Sequence, residues 1–329
     1  MLSRKLPLLV VGAAVIALGV RAGADHGSRV KAKVAIQAPI AAQTAEPSFA
    51  RKEDVIYGRK YGIALTMDVF TPKKDVNGAA IVFVVSGGFF SSHEAIGPGL
   101  ARPFLNRGYT VFAVVHGSQP RYQVPEIIQE MNRAVRFIRH HAKDYGIDPE
   151  RIGVTGGSAG GHLSLMLATA GSNGDPKARD PVDRESSRVQ AVACFFPATD
   201  FLNFGGPGKE KIRATDHDPR FGASFDYREV DTETRLWERV TDDAKLREIT
   251  RAISPIYHIT PNTPPTFIIH GGQDKLVPLQ QSESFAAKLK EAGVEAKLVV
   301  KKGAGHGWPD IPRDAEQLAD WLDQHLRKR

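Results

Sequence analysis

A chain of 329 residues, 42% hydrophobic and 25% charged, can bury a large core without disulfide or metal staples. Its formal charge of +7 is modest and its basic residues are interspersed, with no patch or motif of a nucleic-acid-binding surface. The single cysteine, Cys194, lies in Val192-Ala193-Cys194-Phe195-Phe196 and reads as a small buried hydrophobe; no Cys/His cluster has zinc spacing, so neither a metal nor a cofactor is expected.

Residues 1–24 have the layout of a cleavable signal peptide. Arg4 and Lys5 form a basic start, Leu6 to Val20 an apolar stretch, and Ala22-Gly23-Ala24 a small-residue cleavage site. The apolar stretch is short for a bilayer span, so the expectation is a secreted or periplasmic protein with no stable membrane anchor after signal cleavage. Residues 25–50, rich in Ala, Gln, Pro and Lys without a sustained period, read as a flexible linker. The folded domain is placed at 51–329.

That domain opens with strands at 54–58 and 63–70, close enough for a hairpin. The continuous apolar run at 79–85 suits a strand buried on both faces, and it leads into Ser86-Gly87-Gly88-Phe89-Phe90. A strand–helix alternation follows: a helix at 99–107, a strand at 109–115, and a helix at 126–145 closed by Gly146. Ile152 and Val154 begin another strand, and Leu163 to Ala168 continue as a helix. Further strands are expected at 189–196, 266–270 and 296–300, with helices at 279–291 and 314–326. Such alternation implies a mostly parallel sheet with helices on both faces. Residues 201–250 break the rhythm. They are charged and irregular, with sparse apolar residues (Phe221, Phe225, Leu236, Trp237), and read as a lid-like insertion over the C-terminal edge of the sheet.

Between strand and helix, Gly156-Gly157-Ser158-Ala159-Gly160 fits G-x-S-x-G, the pattern of a nucleophile elbow. A serine on so sharp a turn needs small neighbours, and the helix behind it favours developing negative charge. A serine hydroxyl also needs a base to take its proton and a third group to hold that base. Asp274 follows the strand at 266–270 on the loop His270-Gly271-Gly272-Gln273-Asp274, and His306 follows the last strand on Gly303-Ala304-Gly305-His306-Gly307-Trp308. The order Ser, Asp, His, each after a later strand, is the one this chemistry uses on such sheets. Ser158, Asp274 and His306 are therefore the candidate catalytic residues. The oxyanion donors expected are the N–H groups of Ala159, next to the nucleophile, and of Gly88 and Phe89 in the earlier glycine loop. Ser86, Phe90 and His116 are candidate substrate contacts, a structural hydrogen bond being the other reading of His116.

These phrases, with Gly146-Ile147-Asp148-Pro149-Glu150-Arg151-Ile152-Gly153 leading into the elbow, resemble the α/β-hydrolase superfamily over nearly the whole of 54–326. Within it the chain is similar to the esterase/lipase group related to hormone-sensitive lipase and to the bifunctional deacetylase/feruloyl-esterase type. The resemblance implies a serine carboxylic-ester hydrolase acting on short-chain or polysaccharide-linked acyl esters, acetyl or feruloyl. One departure stands out: the family commonly has His-Gly-Gly-Gly where this chain has Ser86-Gly87-Gly88-Phe89, so the side chains bracing the oxyanion loop must differ. Two other functions share parts of the pattern. A prolyl-oligopeptidase-like serine peptidase has the same elbow, but it usually carries a propeller that the stretch before the sheet is too short to form. A non-catalytic binding protein on this scaffold would be expected to lack a member of the triad. Ser158 at the elbow argues against hydrolases that place Asp or Cys there.

Overall fold

The computed structural model describes residues 48–327; the signal-peptide stretch 1–24 and all of the linker before residue 48 lie outside the described residues. Strand β1 (Phe49–Lys60) begins two positions before the domain boundary read from the sequence and pairs antiparallel with β2 (Ile63–Pro72). The hairpin turns at Tyr61 and Gly62, whose φ values of 50° and 78° match the twist of a two-residue loop. Register shifts between Lys52 and Val55 and between Ile56 and Gly58 mark bulges in β1.

The remaining elements in order are β3 (Ala80–Val85), α1 (Pro98–Leu105), β4 (Thr110–Val115), α2 (Val124–His140), β5 (Ile152–Gly157), α3 (Ala159–Ala170), β6 (Ala191–Phe195), β7 (Arg228–Val230), β8 (Trp237–Arg239), α4 (Asp243–Ala252), β9 (Thr266–Gly271), α5 (Gln280–Glu291), β10 (Ala296–Lys301) and α6 (Ile311–Leu326). Eight strands form one sheet in the order β1-β2-β4-β3-β5-β6-β9-β10. β2 runs antiparallel to both its neighbours, β1 and β4; from β4 to β10 the pairs are parallel. The apolar residues of α2, α3 and α5 cover one face and those of α1 and α6 the other. Both faces being dry explains why β3, β4, β6 and β9 are continuous apolar runs.

Helix α2 starts two residues earlier and stops five earlier than the sequence pattern implies. Gln123 and Glu126 form a capping box at its start. Beyond His140 the chain tightens into turns, and Gly146 at φ 62° completes a Schellman motif: its N–H donates to Lys143 O, and that of Ile147 to Ala142 O. The glycine stop is real, but the last turns before it are not α-helical.

The insertion is more tightly held than its sparse apolar content suggests. Phe201, Ile212, Phe225, Tyr227, Val240 and Leu246 are buried in the same cluster as α2 and α3, while Leu236 and Trp237 are 63% and 60% exposed on the β7–β8 ribbon. The stretch ends in α4, which starts where Asp242 caps it, accepting from Lys245 N at 2.8 Å, and runs on to Ala252.

Candidate active site

The site stands at the C-terminal ends of β3, β5, β6, β9 and β10. At the end of β5 the chain reverses into α3 through Ser158, whose φ of 56° and ψ of −120° are costly for a residue with a side chain. The neighbourhood over-determines that turn. Ser158 N donates to Phe195 O at 3.0 Å and His162 N to Ser158 O at 2.9 Å. A Cβ on Gly156 would lie 2.6 Å from Gly160 O, and one on Gly160 would lie 2.8 Å from Val84 O. Both glycines of the motif are therefore fixed by backbone approaching backbone, which no rotamer can relieve.

His306 lies between the serine and the acid. Its Nε2 is 2.9 Å from Ser158 Oγ and its Nδ1 is 2.7 Å from Asp274 Oδ2. The carboxylate beside Nδ1 places the proton there, so Nε2 is free to accept from the serine hydroxyl. His306 caps a small turn in which Gly307 N donates to Gly305 O at 2.9 Å, and its ring packs 4.6 Å from that of Phe196. The acid and base loops are in direct contact. Gln273 N donates to Ala304 O at 2.8 Å, and a Cβ on Gly271 would fall 2.1 Å from Gly305 O.

Asp274 is buried, and burial alone would raise its pKa. Hydrogen bonds from His270, His306 and the Val277 amide outweigh this and hold the carboxyl well below the usual carboxylate range. Its Oδ1 accepts from the N–H groups of Leu276 and Val277, both at 2.9 Å. In the sequence His270 is only the end of a strand. It is fully buried, its Nε2 3.3 Å from Asp274 Oδ2 and 2.9 Å from Val277 O, its Nδ1 2.6 Å from Ser282 Oγ. With two acceptors at Nε2 the proton sits there, and Ser282 donates to Nδ1. His270 thus braces the acid from the side away from His306. Its only sequence signal was the phrase it shares with Asp274.

The loop after β3 is a four-residue turn. Gly87 and Phe90 exchange both backbone bonds at 2.9 Å, and between them Gly88 and Phe89 have φ of 57° and 61°. Two left-handed residues in succession define a type I′ turn, which favours glycine at both places. Phe89 adopts it against its Cβ because its buried ring is wedged edge-on between His162 (5.3 Å) and Phe225 (5.4 Å). Among the described residues no acceptor takes the N–H of Gly88 or of Phe89. Ala159 opens α3, and its N–H has no partner within the helix.

Gly88, Phe89, Ser158 and Ala159 line one cavity of about 410 Å³, closed by Phe201, Phe204, Phe221 and Phe225 from the insertion and edged by Lys211 and Lys275. The three candidate substrate contacts are not among its lining residues. Phe90 points to solvent, 56% exposed. His116 is buried beneath the turn: its Nδ1 donates to Gly117 O at 2.7 Å, and its Nε2 accepts from Ser86 Oγ at 2.8 Å. Burial pushes its pKa down to about 4, against the backbone bond, which favours the proton. At position 86, where the resemblance leads one to expect histidine, the serine side chain is engaged in this pair. Ser86 is braced by an imidazole that comes from the end of β4 and not from the loop itself.

The insertion is tied down at its start. Asp200 accepts from Leu202 N, Asn203 N and Tyr257 Oη, and Gln281 of α5 accepts from the N–H groups of Thr199 and Asp200. Among the described residues, one cluster has metal-ligand spacing, Glu53, Asp68 and His93. Arg51 already fills it, 2.7 Å from Asp68 and 3.2 Å from Glu53, with the positive charge a cation would bring. Cys194 is buried in β6, and burial raises its thiol pKa far above the ordinary value. No helix of the described residues is long and apolar enough to cross a membrane.

Comparison with known proteins places this geometry. A family model described as BD-FAE matches residues 67–289. "Probable carboxylic ester hydrolase LipM" of Mycobacterium tuberculosis is 30% identical over 249 residues, covering 74% of this chain and 52% of that protein. The chain spans about half the length of the first curated relatives it matches. Among solved structures, a truncated carbohydrate esterase from gut microbiota superposes with a TM-score of 0.67 at 24% identity, covering 85% of this chain and 98% of that one, and so shows the fold. Butyrate-bound esterase 2 of Thermogutta terrifontis has a TM-score of 0.62 at 26% identity, over 84% of this chain and 94% of that one. The fold is thus the α/β-hydrolase fold that the sequence motifs resemble.

Proposed function

The chain belongs to the BD-FAE family, and on that premise we propose that it is a serine carboxylic-ester hydrolase working through an acyl-enzyme. The observation that carries the reading is the unbroken relay from Ser158 through His306 to Asp274, opening on an aromatic cavity beside backbone N–H groups that lack acceptors. In this mechanism Ser158 Oγ attacks the ester carbonyl carbon while His306 Nε2 takes its proton. The negative charge formed on the carbonyl oxygen is met by the N–H groups of Gly88, Phe89 and Ala159. Collapse breaks the bond to the alcohol, which leaves with the proton from His306. Water, deprotonated by the same imidazole, then attacks the acyl carbon, and the acid departs as Ser158 regains its proton. Asp274 keeps the histidine tautomer and stabilises the imidazolium in both halves.

The substrates proposed are short-chain or polysaccharide-linked acyl esters, acetyl or feruloyl. A cavity of about 410 Å³ suits a small or flat acyl group, and a structural neighbour is named a carbohydrate esterase. Residues 1–24, with the layout of a signal peptide, support action outside the cytoplasm. The test is hydrolysis of p-nitrophenyl acetate, butyrate and octanoate by the wild type and Ser158→Ala. The wild type should turn over the short esters faster than the octanoate, and the variant should lose at least ~10⁴ in rate. Equal inactivity of both proteins on esters would end the esterase reading; equal activity would end the role of Ser158.

A further inference from the structure

The turn that offers Gly88 and Phe89 N–H has three peptide units, and they are not equally secured. The Gly87–Gly88 unit is held through Gly87 O, which accepts from Phe90 N at 2.9 Å. The Phe89–Phe90 unit is held through that same Phe90 N–H and through Phe89 O, which accepts from Gln119 N at 3.3 Å. Between them, the Gly88–Phe89 unit has no backbone bond. Its carbonyl accepts instead from the side chain of Gln119, Nε2 to Gly88 O at 2.8 Å.

That unit is also the one most inclined to turn over. A trans peptide points its C=O and N–H in opposite directions. Flipping the central peptide of a type I′ turn gives type II′, which returns the second central residue to negative φ and still suits glycine at the first. Gly88 occupies the first place, and Phe89, with φ of 61°, occupies the second. The flipped turn would therefore relieve the strain at Phe89, but it would aim Phe89 N–H away from the site and present Gly88 O in its place. The local backbone preference and the proposed oxyanion site thus pull in opposite directions.

We propose that Gln119 is a positioning residue for the oxyanion site: by holding Gly88 O it keeps Phe89 N–H aimed at the carbonyl oxygen of the substrate. This rests on the esterase reading above. The same Nε2 donates to Arg220 O of the insertion at 2.9 Å, and the neighbouring Phe221 ring covers Gly88 so closely that a Cβ there would lie 2.2 Å from Cδ1. The amide therefore joins the oxyanion turn to the lid, and a displaced lid would withdraw one of the two acceptors that orient it.

The experiment compares wild type with Gln119→Leu, which keeps the bulk and removes both donors, and Gln119→Glu, which keeps the shape and sets a carboxylate against two carbonyl oxygens. The readouts are kcat and KM for p-nitrophenyl butyrate, inhibition by n-butylboronic acid, whose tetrahedral adduct on Ser158 needs the oxyanion donors, and Tm. Both variants should lose about 10- to 100-fold in kcat, and boronate inhibition should weaken by a similar factor. KM should stay within about threefold, because ground-state binding of the acyl chain does not use that N–H. A rise in KM at unchanged kcat and unchanged boronate affinity would reduce Gln119 to a lid latch and overturn the proposal, as would no change at all. If Gln119→Leu does not fold, Gln119→Glu decides by the same criteria. Should Ser158→Ala retain full activity, the esterase mechanism itself has failed; should Ser158→Ala be dead and Gln119→Leu normal, only the role of Gln119 has.

Discussion

The nucleophile elbow and the insertion face each other across one cavity, and they are held by different means. At the elbow and where the acid and base loops meet, carbonyl oxygens leave no room for a Cβ: Gly160 O at Gly156, Val84 O at Gly160, Gly305 O at Gly271. These contacts admit no side chain and leave Ser158, Asp274 and His306 little freedom. The insertion is held by packed rings and by side-chain amides, Gln119, Gln123 and Gln281, that donate to its backbone carbonyls. Phe201 and Phe225 meet at 5.3 Å, His217 stacks on Phe225 at 3.5 Å, and Gln119 reaches across to Arg220 O. Backbone contact sets a geometry to tenths of an ångström, whereas packed rings set a volume. The first suits bond-making, and the second suits the choice of what is bound. Changes to the frame should therefore cost rate, and changes to the insertion should alter preference.

The sharpest way to break that division is at the acid. Asp274→Asn would leave the shape intact, but its amide can turn an N–H toward Nδ1 and stabilise the wrong tautomer of His306. A loss of about 10⁴ in kcat is expected, with KM for p-nitrophenyl butyrate little altered. A variant that kept most of its kcat would show that the direct contact of the two loops, Gln273 N to Ala304 O, and not the carboxylate, orients the base.

Acid should strain the two regions unequally in stability. His116 and His162 both have folded pKa values near 4, set first by burial against their ordinary value of 6.5. Below pH 6.5 the unfolded chain takes up protons that the folded one refuses, so stability falls as pH drops toward 4. Between pH 7.5 and 5 each histidine accounts for about 2 kcal/mol of loss. Glu130 acts the other way: burial raises it to about 7, so the folded state holds a proton that the unfolded one gives up above pH 4.5, and acidification over that window stabilises. Two histidines against one carboxyl leave a net loss, which His217, also lowered to about 4, enlarges from the insertion. Tm should therefore drop from pH 7.5 to 5, and it should drop further in Glu130→Gln, which lacks the opposing group. A Tm that rises on acidification would contradict the assignment of neutral buried histidines.

The smallest effect is expected at the lid. Phe221→Ala uncovers Gly88 without touching the triad, so kcat on acetate should change by no more than about threefold, while the octanoate-to-acetate ratio of kcat/KM rises by about 3- to 10-fold as the pocket lengthens. If acetate turnover fell as far as in the frame variants, the lid would have to be counted as part of the catalytic frame.

The order of elements was legible in the chain because a sheet dry on both faces writes itself as continuous apolar runs. So was the meeting of Ser158, Asp274 and His306, because each follows a strand in the order the sheet demands. Three things were harder to read. Gln119 and His270 act on a backbone carbonyl and on another side chain, and a glutamine after a strand or a histidine at its end has no distinctive spacing. Ser86, Phe90 and His116 lie near the site in sequence, but the tight turn at Gly88 sends Phe90 outward and the end of β4 folds His116 beneath Ser86. The insertion looked sparse because its buried residues follow neither a period of 2 nor one of 3.6; most lie on loops and short turns, and two of them, Phe201 and Phe225, face the cavity.

The two outer strands carry a further consequence. An open eight-stranded sheet ends in two rows of unpaired N–H and C=O groups, ready to pair with another molecule. At one end β1 is broken twice by bulges and carries Arg51, Lys52, Glu53 and Asp54 exposed along its outer part. At the other, β10 sets Lys297 and Lys301 about its short apolar middle, Leu298 to Val300. Charge at both borders, joined by bulges along β1, makes them poor templates for a neighbouring strand.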